Sequence, residues 1–237
     1  MKKKYLKYVF YSTALLLFLL GTAIIFMVVS KKSVQAIKTN ISEVEPQLVI
    51  DAGHGGLDGG AVAADGTTES VINLEIALKM REISHLFGLN PVMTRESESL
   101  DYPETAESIH SKKVWDQNSR VDLINATNHA CLISVHQNTF PDPRPSGTEV
   151  LFGKAEGSEQ LAQITHAHLV SILCPENRRV AAPVSDKIYL MKNINCPAIL
   201  VEGGFLSNPA EAAKLESDAY RTELALILIL SYLQFIS

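Results

Sequence analysis

The chain has 237 residues and a formal net charge of −5, which suits one globular domain with an appendage. Seven Lys residues and no Asp or Glu lie in residues 1–38, so residues 39–237 carry a net charge of −12. A domain this acidic argues against a nucleic-acid partner, since phosphate contacts need Lys and Arg. It also argues against charge-driven adhesion to anionic lipid or anionic wall polymer.

The first element is an uncharged, apolar run from Tyr8 to Val29. As a helix it would span about 33 Å at ~1.5 Å per residue, enough for a hydrocarbon core of about 30 Å. The lysines before it favour a cytoplasmic N-terminus and an exported remainder. We favour an uncleaved membrane anchor over residues 1–30, followed by a linker at 31–46. The alternative is a signal peptide cut after Ala36, which would release the protein.

Strands and helices then alternate along residues 47–237. The predicted strands are Leu48–Asp51, Pro91–Thr94, Cys131–Val135, Thr148–Phe152, Lys187–Met191 and Ala198–Val201. The predicted helices are Ser70–Phe87, Trp115–Asn128, Ser158–Leu173, a short helix opened by Asn208 and Pro209, and Asp218–Phe235. Residues 96–112 are acidic and Ser-rich and are predicted to form a surface loop. This alternation predicts a single three-layer α/β/α domain on a mainly parallel twisted sheet.

The three cysteines do not indicate a disulfide framework, because their number is odd and none lies in a Cys-x-x-Cys pair. Cys131 begins an apolar strand and is expected to be a buried small hydrophobe. A bridge between Cys174 and Cys196 is conceivable, but nothing in the sequence supports it.

Polar residues at the ends of predicted strands form the candidate site. His54 lies in a glycine-rich stretch after the first strand, His136 follows Cys131–Val135, and Glu202 follows Ala198–Val201. Glu69 begins the helix after the glycine-rich stretch. Since ligands bind outside the carboxyl ends of parallel strands, these four side chains can converge. Two imidazoles and a carboxylate suit a catalytic zinc ion, with the remaining carboxylate as general base.

Other interpretations of these residues stay open at this point. A histidine in a loop is often only a surface residue, and a glutamate at a helix start often serves the helix dipole. The glycine-rich stretch could hold phosphate, but it lacks the Gly-Lys-Ser/Thr ending of a P-loop and does not fit Gly-x-Gly-x-x-Gly. A carboxylate after a buried strand, such as Glu202, would be costly without a partner.

Four separated motifs resemble those of the zinc-dependent N-acetylmuramoyl-L-alanine amidases. They are "DAGHGGLDGGAV", "ESVINLEIALKM", "SVHQN" and "ILVEGGFLSNPAE". The resemblance implies that His54, Glu69 and His136 bind Zn²⁺ and that Glu202 is the catalytic acid/base. One departure is Ser70, where the family often has Lys after the zinc-binding glutamate. Glu75 is the alternative ligand if Glu69 does not serve.

The stretches "RPSGTEVLF" and "RRVAAPVSDKIYLMKNINCPAILVEGGFLSN" resemble the sporulation members of that family. This likeness implies action on spore cortex peptidoglycan, together with a deacetylase that completes muramic-δ-lactam. Cell-division members carry a regulatory helix after the third motif, and the short segment from Asn138 to Gly147 leaves no room for it. We therefore expect control through expression timing or an activating protein.

Substrate contacts are less well defined by the sequence. Arg95 and Arg120 could bind substrate carboxylates or could form structural ion pairs, and Asn138 is expected to orient the His136 loop. A carboxypeptidase acting on wall peptides is the alternative enzyme, and it would need an arginine to grip a free carboxylate. A membrane-anchored module that only binds the wall is the non-enzymatic alternative, although all four site residues are present.

Overall fold

The computed structural model describes residues 45–237. The predicted anchor or signal segment and nearly all of the linker lie outside these residues. Within residues 45–237, no helix combines the length and apolar character needed to cross a membrane. The described residues correspond to the domain predicted to start at residue 47.

Six strands and six helices follow one another in this domain. The strands are β1 Gln47–Ala52, β2 Val92–Met93, β3 Ala130–Asn138, β4 Glu149–Phe152, β5 Ala182–Pro183 and β6 Ala198–Phe205. The helices are α1 Glu69–Leu86, α2 Ile109–Ala126, α3 Ser158–Ile172, α4 Tyr189–Asn193, α5 Pro209–Leu215 and α6 Asp218–Phe235.

The strands form one sheet in the order β2-β1-β3-β6-β4-β5. Neighbouring strands run parallel except β4, which is antiparallel to β6. The sheet is therefore mixed but mainly parallel, as predicted. The central strands β1, β3 and β6 are parallel, so their carboxyl ends meet at one edge of the sheet.

Helices cover both faces of the sheet, because successive residues of each strand point to opposite sides. In β1, Leu48 and Ile50 belong to a large core shared with α1, α3, α5 and α6. Val49 belongs to a smaller core on the other face, which is shared with α2 and α4. This arrangement confirms the predicted three-layer architecture.

Two segments differ from the sequence prediction in type. Lys187–Met191, predicted as a strand, contains the start of the short helix α4, in which Met191 is buried and Tyr189 is exposed. A short apolar run has no periodicity that separates strand from helix. The predicted loop at 96–112 ends in the first turn of α2, where Ser108 and Ser111 form a reciprocal capping box.

Two central strands are longer than predicted. β3 continues to Asn138 and β6 continues to Phe205, so His136 and Glu202 lie within strands rather than after them. Polar side chains and glycines normally end a buried strand pattern, but here they remain paired in the sheet. The two-residue strand β5 was not predicted.

The cysteines are free among the described residues, so the conceivable bridge between Cys174 and Cys196 is absent. Cys131 is fully buried, as predicted. Burial raises the pKa of the Cys196 thiol to about 11, which keeps it protonated at neutral pH.

Candidate active site

The glycine-rich stretch after β1 holds His54 in an unusual backbone conformation. Its φ is 62°, and the next two residues, Gly55 and Gly56, also have positive φ. L-residues rarely adopt this region, and glycine does so without steric cost. The chain thereby turns sharply at the end of β1 and presents the His54 ring over the sheet edge.

Gly53 allows the second histidine to approach. A Cβ at Gly53 would lie 2.3 Å from Cε1 and Nε2 of His136. The His136 ring therefore lies directly over the Gly53 backbone, in a space that any other side chain would fill. The rings of His54 and His136 meet edge to face, with centroids 5.0 Å apart.

Glu69 is buried at the first turn of α1, only 4% exposed. Its backbone N–H donates to the Ala61 carbonyl, and its Oε2 accepts from the Ala61 N–H at 2.9 Å. Its Oε1 accepts from the Gln137 N–H at 3.1 Å and from the Asn73 side chain at 3.3 Å. These contacts fix the carboxylate between the two histidines.

Three potential ligand atoms, one each from His54, Glu69 and His136, lie within 4.8 Å of one another. His54 Nε2 is 3.3 Å from Glu69 Oε2, and His136 Nδ1 is 2.9 Å from Glu69 Oε1. Ligands about 2.1 Å from a tetrahedral zinc ion are about 3.4 Å apart. The two distances involve different oxygens of the Glu69 carboxylate, but one atom from each of the three residues lies within 4.8 Å of the other two, which is a spacing that a zinc ion can bridge.

Electrostatics keep this carboxylate ionised. Burial opposes ionisation of Glu69, but hydrogen bonds and charge from His136 and His54 outweigh it and hold the pKa well below its usual range. Burial likewise opposes protonation of His54, but Glu69 and then Asp58 raise its pKa. The carboxylate is thus available as an anionic ligand at neutral pH, and protons compete with a metal for His54.

Glu202 lies beside this cluster on the next strand. It is directly opposite His136 in the parallel β3–β6 register, and directly opposite Glu149 in the antiparallel β4–β6 register. Its Oε2 is buried without a hydrogen-bond partner in the described residues. Burial raises its pKa to about 7; charge from His136 lowers the value, while charge from Glu69 and Glu149 adds to it.

Glu149 is a neighbour of the site that no sequence motif indicated. Its carboxylate accepts from Asn138 Nδ2 at 2.8 Å and pairs with Arg179 Nε at 2.7 Å. The Arg179 guanidinium also lies over the Phe205 ring, 5.1 Å from its centroid. Asn138, a candidate substrate contact, is thus engaged with Glu149. Only the register of β4 against β6 brings these residues to the site, and no local sequence motif indicates that they lie there.

The other two substrate-contact candidates lie beneath the site. Arg95 and Arg120 are 5% and 6% exposed. Arg95 donates to the carbonyls of Ala52 and Gly53, and Arg120 donates to those of Ala52 and His54. Their guanidinium groups therefore support the backbone that carries His54, in line with the structural interpretation of these arginines.

Arg120 also forms a buried ion pair with Asp51, at 2.7 Å. Asp51 accepts two further hydrogen bonds, from Thr94 and Ser134. Burial opposes its ionisation, but Arg120, Ser134 and other partners lower its pKa to about 2. A charged network under the glycine-rich stretch thus links β1 to α2 and β3.

Glu75, the alternative ligand, does not reach the site. It pairs with Arg221 of α6 at 2.8 Å. The structure therefore places Glu69, and not Glu75, with the two histidines.

The comparisons with known proteins agree with this geometry. The family described as N-acetylmuramoyl-L-alanine amidase matches residues 48–229. A germination-specific N-acetylmuramoyl-L-alanine amidase of Bacillus subtilis (strain 168) is 36% identical over 179 residues, which cover 75% of this chain and 74% of the relative.

Solved structures show the same fold. The CwlD amidase of Clostridioides difficile, in complex with the GerS lipoprotein, has a TM-score of 0.76 and 32% identity, covering 80% of this chain and 98% of that chain. An N-acetylmuramoyl-L-alanine amidase of Clostridium difficile 630 has a TM-score of 0.69 and 26% identity, covering 81% of this chain and 97% of that chain.

Proposed function

Because this chain belongs to the N-acetylmuramoyl-L-alanine amidase family, we propose that it is a zinc hydrolase of peptidoglycan. The bond cleaved is the amide between the lactyl group of N-acetylmuramic acid and L-alanine. The observation that carries the proposal is the meeting of His54, Glu69 and His136, with Glu202 opposite His136 on the adjacent strand.

In this proposal His54, Glu69 and His136 hold the zinc ion. When bound, zinc supplies Lewis acidity toward the amide carbonyl and lowers the pKa of a water molecule toward about 7. Gly53 and Gly60 leave room for the ligands, since a Cβ at Gly60 would lie 2.5 Å from Glu69 Oε2. The protein thereby keeps the ligand side chains close-packed around the site.

Glu202 is the proposed general base and then the general acid. Its buried Oε2 has no protein donor, so it is free to take a proton from the attacking water. The same atom then returns the proton to the departing alanine nitrogen, which breaks the amide and leaves a lactyl carboxylate. A pKa raised to about 7 by burial suits a group that must both accept and release a proton near neutrality.

The biological setting is proposed from the relatives. The Bacillus subtilis relative is named as germination-specific, which supports action on spore cortex peptidoglycan. There a deacetylase would act after this enzyme to complete muramic-δ-lactam. The CwlD structure contains the GerS lipoprotein, and we infer that a comparable lipoprotein is the activating partner of this chain.

The proposed location follows from the substrate. Peptidoglycan lies outside the cytoplasm, so the domain is exported. The apolar segment of residues 8–29 anchors it to the membrane, or is cleaved to release it.

Product analysis of the full-length chain tests the function. Peptidoglycan is digested with the zinc-loaded protein, with chelator-treated protein, and with chelator-treated protein after zinc is restored. We expect peptides that begin with L-alanine, released only with zinc and with intact glycan strands. Release of a terminal amino acid would identify a carboxypeptidase instead. Zinc-loaded protein that releases nothing, even with a lipoprotein partner added, would support the wall-binding module.

A further inference from the structure

The His54 ring has two nitrogens in different surroundings. Nε2 faces Glu69 Oε2 at 3.3 Å, on the side where the three ligand side chains meet. Nδ1 is buried and lies 3.2 Å from Asp58 Oδ2, an ion-pair distance whose geometry falls short of a hydrogen bond, and no other described group is its hydrogen-bond partner. Asp58 is four residues later in the same glycine-rich stretch and has no role in the function proposed above.

The chain holds Asp58 in this place by three contacts. The Gly55 N–H donates to the Asp58 carbonyl at 2.8 Å, and the Asp58 N–H donates to the Gly55 carbonyl at 3.0 Å. From α2, Lys113 Nζ pairs with Asp58 Oδ2 at 2.8 Å. The backbone bridge closes the turn around His54, and the lysine orients the carboxylate from outside.

Each ring nitrogen of His54 lies beside a carboxylate, Nε2 at 3.3 Å from Glu69 and Nδ1 at 3.2 Å from Asp58. Once a metal ion binds Nε2, the ring proton must lie on Nδ1, where the Asp58 carboxylate is the nearby acceptor that can orient the ring. His136 has no such support, since its Nδ1 faces the ligand Glu69 itself. The two histidines are therefore held in different ways.

We propose that Asp58 is a positioning residue that keeps His54 protonated on Nδ1 and directs Nε2 to the metal, with Lys113 orienting Asp58. This inference rests on the zinc site proposed above. The contact predicts that metal affinity depends on Asp58 although Asp58 does not touch the metal. Loss of an outer partner of a metal-bound histidine weakens metal affinity roughly 10- to 100-fold.

The test measures zinc affinity by chelator competition in the full-length chain, for wild type, Asp58→Ala, Asp58→Asn and Lys113→Met. We expect Asp58→Ala to lose roughly 10- to 100-fold in affinity. Asp58→Asn should lose less, because its amide oxygen still accepts from Nδ1–H. Lys113→Met should also lose less, since Asp58 remains. Asp65→Asn is the matched control, because Asp65 is an exposed aspartate in the same connection between β1 and α1 and hydrogen-bonds to Thr67 rather than to a site residue.

A second measurement separates positioning from folding. Long-range ¹H–¹⁵N NMR correlations of the zinc-loaded protein report the His54 Nδ1–H and its exchange with water. We expect a slowly exchanging Nδ1–H in wild type and a faster-exchanging one in Asp58→Ala. Unchanged zinc affinity together with an unchanged exchange rate in Asp58→Ala would overturn the proposal while leaving the metal site intact. Wild type that binds no zinc would instead overturn the metal site on which the proposal rests.

Discussion

Gly53→Ala is the substitution that most directly tests the packing of the site. A Cβ at this position would lie 2.3 Å from two atoms of the His136 ring and 2.7 Å from a third. Ordinary contacts begin near 3.4 Å, so the ring must move by about 1 Å. Glu69, bonded to the Gln137 and Ala61 backbone, cannot follow it. A misplacement of about 1 Å at a catalytic site can cost about 100-fold in rate.

We therefore expect Gly53→Ala to lose at least about tenfold in zinc affinity and about 100-fold in amidase activity. Overpacking should also cost about 1–3 kcal/mol in the free energy of unfolding. The assays are chelator competition, peptide release from peptidoglycan and urea denaturation. Gly59→Ala is the matched control, since its nearest new neighbour would be the Thr68 methyl at 3.2 Å. Unchanged zinc affinity and turnover in Gly53→Ala would refute the assignment of His136 as a ligand held on this glycine.

Three further predictions concern catalysis, stability and pH. Glu202→Gln should bind zinc stoichiometrically but lose peptide release, as measured by metal analysis and mass spectrometry; an active variant would exclude Glu202 as the proton carrier. Arg120→Met should lower the free energy of unfolding by about 3–5 kcal/mol, because it leaves Asp51 buried without its cation. The control is Arg144→Met, which breaks an exposed ion pair with Asp142 and should not measurably change the free energy of unfolding. Because Asp51 has a pKa near 2 in the folded protein against 3.8 as the reference, its contribution of about 2 kcal/mol is complete above pH 3.8 and is lost as the pH falls toward 2. Acid unfolding of Asp51→Asn, compared with wild type, should lack this part of the pH dependence.

The strand and helix pattern predicted the architecture because long periodic segments are locally determined. α6 was predicted with its observed bounds, Asp218–Phe235, and Asn208 caps α5 as expected, accepting from the backbone of Ala210. The prediction of a strand at Lys187–Met191 was wrong, because one or two buried residues in a short apolar run cannot distinguish a strand from a helical turn. Its conformation depends on packing against α2.

The family resemblance predicted from four motifs is confirmed by the match over residues 48–229. The meeting of His54, Glu69 and His136 follows from the parallel order of β1 and β3, which alternation with helices made foreseeable. Glu149 and its ion pair with Arg179 were not foreseeable. They reach the site only because β4 pairs antiparallel with β6, and no local sequence pattern predicts the direction of that strand.

The alignment of His136, Glu202 and Glu149 across three strands has a consequence for how this family can diverge. Side chains alternate between the faces of a sheet, so adding or removing one residue in β6 before Glu202 would send its carboxylate into the opposite core. Changes of residue identity from Ala198 to Val201 cost only packing, whereas a change of length by one there would move the proton carrier out of the site. In active members of the family, insertions and deletions should therefore be confined to the loops. The spacing from Ala198 to Glu202 should stay constant even where the intervening residues vary.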